Sequence, residues 1–273
     1  MRLLNSKIGR IVISVALVFT LLVGVGGSIA WYKLFREVPT YYESPADHFK
    51  YGSIGAEATQ GLPYWLWMVL PRLFPEYLPG AGGYTSLGIT WEPGEELPIG
   101  FSKKTIGFPR QGITCALCHT ATYHKTAEDV PTIIPTGASS RFNLQGYIRF
   151  LSNCGEDPRF NADYILAGIS YVRNLSLLDK FLYRYIIIPQ TKKALVELQD
   201  SFAWMDKRPE QGLGRIAPFN PVKFVVLGLD DDGTIGNSDM MPLWNQKLHK
   251  DFALHWDGLE TSLTETTIAG AIG

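Results

Sequence analysis

Cysteine and histidine are scarce in this chain, and neither sign of charge is in excess. With 3 cysteines and 5 histidines in 273 residues, no second ligand pair of the kind a structural zinc site takes is present, because the third cysteine, Cys154, stands alone. A formal net charge of −1, spread along the sequence, excludes the basic footprint of a nucleic-acid binder. EF-hand spacing is also missing. The acidic stretch Asp230-Asp-Asp-Gly233, with Asn237 and Asp239 downstream, reads as an Asp/Gly turn, with Ca²⁺ as the other use of those carboxylates. Apolar residues are plentiful: at 46% hydrophobic the chain can bury one large core or two modest ones.

The few cysteines are not scattered. Residues 115 to 119 read Cys115-Ala-Leu-Cys118-His119, the C-x-x-C-H pattern of covalent c-type haem attachment. Two cysteines one helical turn apart can each form a thioether to a haem vinyl group, and the adjacent histidine then lies beneath the iron as its proximal ligand. A disulfide, a zinc ligand pair and a redox dithiol are the other uses of the same letters. The dithiol expects a βαβ setting, whereas Thr105–Thr114 reads as a Gly/Pro-interrupted loop.

The N-terminus agrees with that chemistry. Arg2, Lys7 and Arg10 precede an uncharged run from Ile11 to Ala30, long enough to cross the roughly 30 Å hydrocarbon core as a helix. Positive residues ahead of it predict a cytoplasmic N-terminus and an exported body. Two readings follow, a retained anchor or a signal peptide cut after Ser28-Ile-Ala30, and the length of the run favours the anchor. Either way the body lies outside the cytoplasm, where bacteria make haem c attachments. The expected location is the inner membrane facing the periplasm, or the periplasm if the segment is cleaved.

Trp31 to about Asp47 reads as a juxtamembrane linker, with Trp31 and Tyr32 suited to the interface. Pro63 to Pro71 predicts a short helix bounded by its prolines, either buried on the body or, as the second reading, resting on a membrane or facing an apolar substrate. Gly83 to Gly112 has turn residues every few positions and predicts irregular structure. In C-x-x-C-H proteins the motif opens a helix, expected here from Cys115 to His124. Helices are then expected over Asn143–Leu151, Asp163–Val172 and Ser176 to about Trp204, the last broken or kinked at Pro189, with Leu177, Phe181, Tyr185 and Ile188 sharing one face. Loops return beyond Pro209, until Thr261-Ser-Leu-Thr264 followed by Glu265 marks another helix start. The fold expected is mainly α with long loops: an N-terminal membrane or signal segment over residues 1–35, a Gly/Pro/aromatic-rich extension over 36–106, and a cytochrome c-like haem domain over 107–273.

Several stretches carry a resemblance: Phe49–Gly55, Gly107–Thr120, Gly212–Asn220, Met241-Pro-Leu-Trp-Asn245 and His255-Trp-Asp-Gly258. Together they resemble the bacterial dihaem cytochrome c peroxidase superfamily, and within it a branch of membrane-anchored c-type cytochromes similar to haem-containing rubber oxygenases. In such proteins Pro-x-Leu-Arg-Asn, then His-Asp-Gly and a Leu-Glu-rich helix, close over a haem, and Ca²⁺ lies between the domains. The resemblance implies two haem domains, whereas this chain has one C-x-x-C-H. A fragment of a two-haem protein, incomplete at its C-terminus, and a single-haem derivative are the two expectations.

The sixth position on the iron decides between an electron carrier and a haem enzyme. Candidates are His48, His124, His249, His255, Met205, Met240 and Met241, with His255 foremost because Asp257 could orient its ring. Met240 and Met241 fit packing roles, His124 a surface role, and His48 and His249 exposed or capping roles. Arg110 and Arg215 are candidates to pair with haem propionates. Cys154 reads as an inert buried thiol. The leading expectation is a c-type cytochrome carrying one covalent haem and transferring electrons to a redox partner protein or quinol-linked chain. The alternatives are a peroxidase- or oxygenase-type haem enzyme with an open iron site, and the first half of a larger dihaem protein.

Overall fold

The uncharged run near the N-terminus forms most of helix α1, Lys7–Leu34, in the computed structural model, which describes residues 7–126, 129–137, 140–240, 242–244, 247–254 and 260–266. At 1.5 Å per residue its apolar part, Gly9–Leu34, is about 39 Å long, enough to span a bilayer. Among the described residues its middle is uncovered: Ile11, Leu17, Phe19 and Leu21 all stand exposed. A bare apolar cylinder of this length matches a membrane anchor or a signal segment.

Strand β1, Glu37–Val38, leaves α1 and is followed by helix α2, Pro45–Tyr51, whose first turn is capped by the Ser44 hydroxyl accepting the Asp47 N–H. Strand β2, Leu62–Pro63, leads into helix α3, Tyr64–Leu73. Pro63 caps α3 as expected, but the helix runs through Pro71. Proline has no N–H for the carbonyl four residues back, and the Tyr84 hydroxyl donates to that carbonyl, Trp67 O, at 2.7 Å. The membrane-resting reading of α3 is overturned by its burial, since Tyr64, Leu66, Trp67, Val69 and Leu70 are core residues.

Strands β3, Phe101–Ile106, and β4, Phe108–Ile113, form an antiparallel hairpin with Lys103 opposite Gln111. They occupy the centre of a sheet of order β1-β3-β4-β2. This corrects the irregular structure expected up to Gly112 and the loop expected over Thr105–Thr114. Gly107, Pro109 and Gly112 look like breakers locally, but both glycines meet a tertiary need. Gly107 turns at φ +72° where a Cβ would sit 2.3 Å from the Leu34 backbone. Gly112 makes room for the buried Glu57 carboxylate, which accepts from Ser102 and, at 2.5 Å, from Ser53.

Beyond the motif, strands β5, Thr120–Tyr123, and β6, Thr132–Pro135, pair antiparallel. The helix expected to run to His124 is therefore a single 3₁₀ turn, Cys115–Leu117, that gives way to strand. The reason is local: Thr120, Thr122 and Tyr123 are strand-formers, and Thr132-Ile-Ile134 supplies the matching edge.

Helix α4, Leu144–Glu156, begins at Asn143, whose side chain accepts the Gly146 N–H. Its expected stripe of Tyr147, Ile148 and Leu151 is buried. Helix α5, Ala162–Ser170, starts at the Asn161 cap. Helices α6, Leu177–Leu182, and α7, Ile188–Phe202, are joined without a break by a π turn, Tyr183–Ile187, just before Pro189. The wide turn inserts one residue and rotates the face. Ile188 is buried, while Leu177, Phe181 and Tyr185 point to solvent, so the four do not share a face. Strand β7, Arg215–Ile216, helix α8, Phe219–Pro221, and strand β8, Ser238–Asp239, complete the labelled elements, with β7 and β8 paired. Residues 263–266 are helical, and at the expected start the Ser262 hydroxyl accepts the Glu265 N–H while the Glu265 carboxylate accepts the Thr261 N–H.

About half of the chain is helical, as the mainly α reading expects, and the sheet is added to it. The core centres on Trp67, which stacks on Tyr84 at 4.5 Å, contacts Phe101 at 5.1 Å, and donates from Nε1 to the Tyr147 hydroxyl at 3.0 Å. It draws on residues from Tyr51 to Met240. Helices α4 and α7 cross closely where Gly155 meets Leu195.

Candidate functional site

The C-x-x-C-H segment begins where β4 ends. Thr114 is still extended, and its hydroxyl caps the turn by accepting the Ala116 N–H at 3.3 Å. The Cys118 N–H and, at 3.0 Å, the His119 N–H both reach the Cys115 carbonyl. Cys115, Cys118 and His119 therefore sit at offsets 0, 3 and 4 on one helical turn, and so share a face. All three are partly exposed, whereas Ala116 and Leu117, between them, are buried.

The turn is held from behind. The Thr114 N–H donates to Gly100 O at 2.8 Å, the Thr114 hydroxyl lies 3.4 Å from Phe49 O, and the Gly100 N–H donates to Lys50 O at 2.9 Å. Helix α2 is thus fastened against the motif. Gly100, at φ +90°, faces the turn so closely that a Cβ would lie 2.2 Å from the Leu117 Cα. On the other flank, the Ser140 hydroxyl donates to Leu117 O at 2.9 Å. The Ser140 carbonyl in turn touches Gly214, where a Cβ would lie 2.1 Å away. Met240 N donates to Gly214 O at 3.1 Å, and Leu243 N to Thr136 O at 2.9 Å. Gly100 and Ser140 thus hold the motif turn directly, while 49–50 braces Thr114 and Gly100, and Gly214 braces Ser140. Gly100 and Ser140 carry no local sequence signal for this role, because their partners lie far along the chain.

Behind the turn is a cavity of about 10 Å³ lined by Gly88, Ile99, Leu117, Thr120 and Ser140, which is room for one water molecule. The buried Thr120 hydroxyl has no protein partner. A porphyrin does not fit there. The side open to it is the outer one, where Cys115 and His119 emerge beside Ile113, 39% exposed.

Among the described residues no three His, Cys, Asp or Glu side chains converge on one point, as a zinc site requires. Haem asks for something else, because its thioethers attach at the ring edge while the imidazole reaches the iron. Two thiols and an imidazole sharing one face of a turn fit that demand. Burial, and then the neighbouring Cys115, push the Cys118 thiol up to about 12. At neutral pH it stays S–H, which disfavours a reactive dithiol or a thiolate metal ligand.

The other candidates are dispersed. Arg110 lies mid-strand in β4 opposite Lys104, with its guanidinium 4.7 Å over the Phe108 ring. Its buried Nε has no hydrogen-bond partner among the described residues, and burial lowers its pKa. Arg215 is ion-paired to Asp239 at 3.3 Å on the surface. Asp231 and Asp232 of the acidic turn are taken up by Arg208 and Lys223, which hold both carboxyls below their usual range. His48 is exposed on α2, edge-on to Tyr42. The His124 ring lies 3.0 Å from Asp129 O on the surface, and His249 packs edge-on to Phe252. Met240 and Met205 are buried packing residues. His255, Asp257 and Met241 lie outside the described residues. Cys154 is fully buried, and burial raises its thiol pKa.

Of the stretches that carried the resemblance, 49–55 touches Thr114 and 212–220 touches Ser140, whereas Gly100 and Ser140, which hold the turn directly, lie outside them. In comparisons with known proteins, the chain matches no family model, no curated protein and no solved structure.

Proposed function

We propose that this chain is an exported, membrane-anchored c-type cytochrome that carries one covalent haem through Cys115, Cys118 and His119 and transfers electrons outside the cytoplasm. The observation that carries the reading is the capped turn that spaces Cys115, Cys118 and His119 by one helical turn, with Cys115 and His119 half-exposed and Cys118 set deeper, and with its backbone fixed from both flanks. Helix α1 supports the location, at the bacterial inner membrane facing the periplasm. A redox partner protein or a quinol-linked chain would exchange the electrons.

Each residue has a defined task. Cys115 and Cys118 each add S–H across a vinyl C=C, forming one C–S bond and one C–H bond, so the attachment needs no oxidant. Burial keeps Cys118 protonated and reduced until then. Thr114 and Ser140 fix the backbone from which His119 reaches the iron. When bound, the haem supplies reversible one-electron chemistry at its iron. Arg110, with an unpartnered buried Nε, is the residue fitted to a propionate.

Intact mass spectrometry and a reduced absorption spectrum of protein made in a host that matures c-type cytochromes test the reading. The expected result is one added haem mass, lost in a Cys115→Ser, Cys118→Ser double variant. A full-length chain without the adduct in such a host would overturn it. Carbon monoxide then reports on the opposite side of the iron. An unshifted ferrous spectrum marks a closed electron carrier, and a shift marks the open-site enzyme and overturns the carrier role.

A further inference from the structure

Helix α6 and the π turn behind it present their apolar stripe away from the core. Leu177 is 88% exposed, Phe181 56% and Tyr185 63%, and the Phe181 and Tyr185 rings contact each other at 4.8 Å. Tyr171 and Val172, in the turn before α6, extend the same kind of surface. Exposed aromatic and aliphatic side chains at this density need an occupant.

Three contacts show where this stripe lies. The Lys33 ammonium, one residue from the end of α1, pairs with Asp179 of α6 at 2.7 Å. The hairpin turn at Gly107 presses on Leu34, and its N–H donates to Arg36 O at 2.7 Å. Phe108, next to that turn, meets Tyr183 at 6.2 Å. The end of α1, with Trp31 and Tyr32, is therefore lashed to the start of α6. If α1 spans a bilayer, Lys33 lies at the headgroups and Asp179 lies there too, with the stripe on the opposite face of the same short helix, about 10 Å away.

We propose that the outward face of α6 and its π turn, centred on Leu177, Phe181 and Tyr185, rests in the interface of the bilayer that α1 crosses. This rests on reading α1 as a retained anchor. The chemistry of the surroundings agrees with a lipid occupant. The charges on this stretch are neutralised in pairs, Asp179 by Lys33 and Arg184 by Asp163. Exposed Lys180 and Arg173 flank the stripe and suit anionic headgroups. The body would then be held by two points, a span and an interfacial helix, which fixes its tilt on the membrane.

The test uses the full chain in vesicles of phosphatidylethanolamine and phosphatidylglycerol, with photoreactive p-benzoylphenylalanine in place of Phe181, or of Tyr185 as a second site. The control position is Val226, equally apolar and 74% exposed, which sits beyond the far end of α7 where Phe224 meets Trp204. Both sites are on the surface, so folding is preserved. The expected outcome is about fivefold more lipid adduct at 181 and 185 than at 226, as interfacial burial of one apolar face demands. Equal yields, or adducts to a second protein chain, overturn the proposal. A carbonate wash separates the failures. Protein retained in the membrane without lipid adducts sinks only the α6 contact, whereas protein released by the wash sinks the anchor and the contact together.

Discussion

Two parts of this protein use their large apolar side chains in opposite ways. Around α3, Trp67, Tyr84, Phe101, Tyr147 and Phe150 are buried against one another, and the polar ends of Trp67 and Tyr84 are spent on buried hydrogen bonds. Between residues 209 and 254, Leu213, Phe219, Leu229, Leu248 and Phe252 stand in solvent. Order in that second region comes from a few buried residues, Ala217, Asn220 and Met240, from surface ion pairs such as Arg215–Asp239, and from backbone hydrogen bonds to Phe142, Gly214 and Thr136. Surface ion pairs contribute little. The first region therefore supplies stability, and the second is a covering laid over the motif. The motif turn sits at their boundary, backed by Gly100 from one and by Gly214, through Ser140, from the other.

That contrast sets a graded series of tests. Trp67→Ala removes a stacked, fully buried side chain and leaves the Tyr147 hydroxyl without its donor, and should cost roughly 3–5 kcal/mol in denaturant unfolding. Gly100→Ala forces a Cβ into the Leu117 backbone at a positive φ, for about 1–3 kcal/mol. It should also lower the fraction of chain carrying haem, read by intact mass, because the motif turn must shift.

Alkaline pH should come next. Burial raises the phenols of Tyr84, Tyr147 and Tyr183, so the unfolded chain ionises first and stability falls as pH climbs past about 10. Cys118 adds a loss that begins near 9, the ordinary thiol value, and ends near its folded value of about 12. A thioether does not titrate, so urea midpoints at pH 8 and 10 should diverge less in haem-loaded protein than in the unloaded chain. Smaller still is Asn143→Ala, which removes the cap of α4 for about 1 kcal/mol. Leu248→Ala, in the covering region, should stay within about 0.5 kcal/mol. A large loss at Leu248 would break the comparison, since it would mean that this side chain is buried.

Much of the helical layout was legible because its signals are local. Asn143 before a 3-4-7 apolar stripe, Ser262 three residues before Glu265, and an uncharged run after Arg2, Lys7 and Arg10 each act within one or two turns. The β3–β4 hairpin was not legible, because Gly107 and Gly112 are needed only once Leu34 and Glu57 are beside them. The orientation of α6 was also hidden. Periodicity marks an apolar face but not what it faces, and a one-residue π insertion separates Phe181 from Ile188. For the site, the letters Cys115, Cys118 and His119 were visible at once, while the partners that hold them, Gly100 and Ser140, were not.

The sequence by itself determined the long apolar helix α1, the helix caps, and a motif whose donors are spaced by one helical turn, since all of these depend on neighbours within a few residues. Only the tertiary structure decided that the motif turn leaves the end of a central strand, that distant glycines give it room, and that α6, with its exposed stripe, lies beside the end of α1. Those outcomes depend on contacts between residues as far apart as Lys33 and Asp179, and such contacts exist only after the chain has closed its long loops and packed its core.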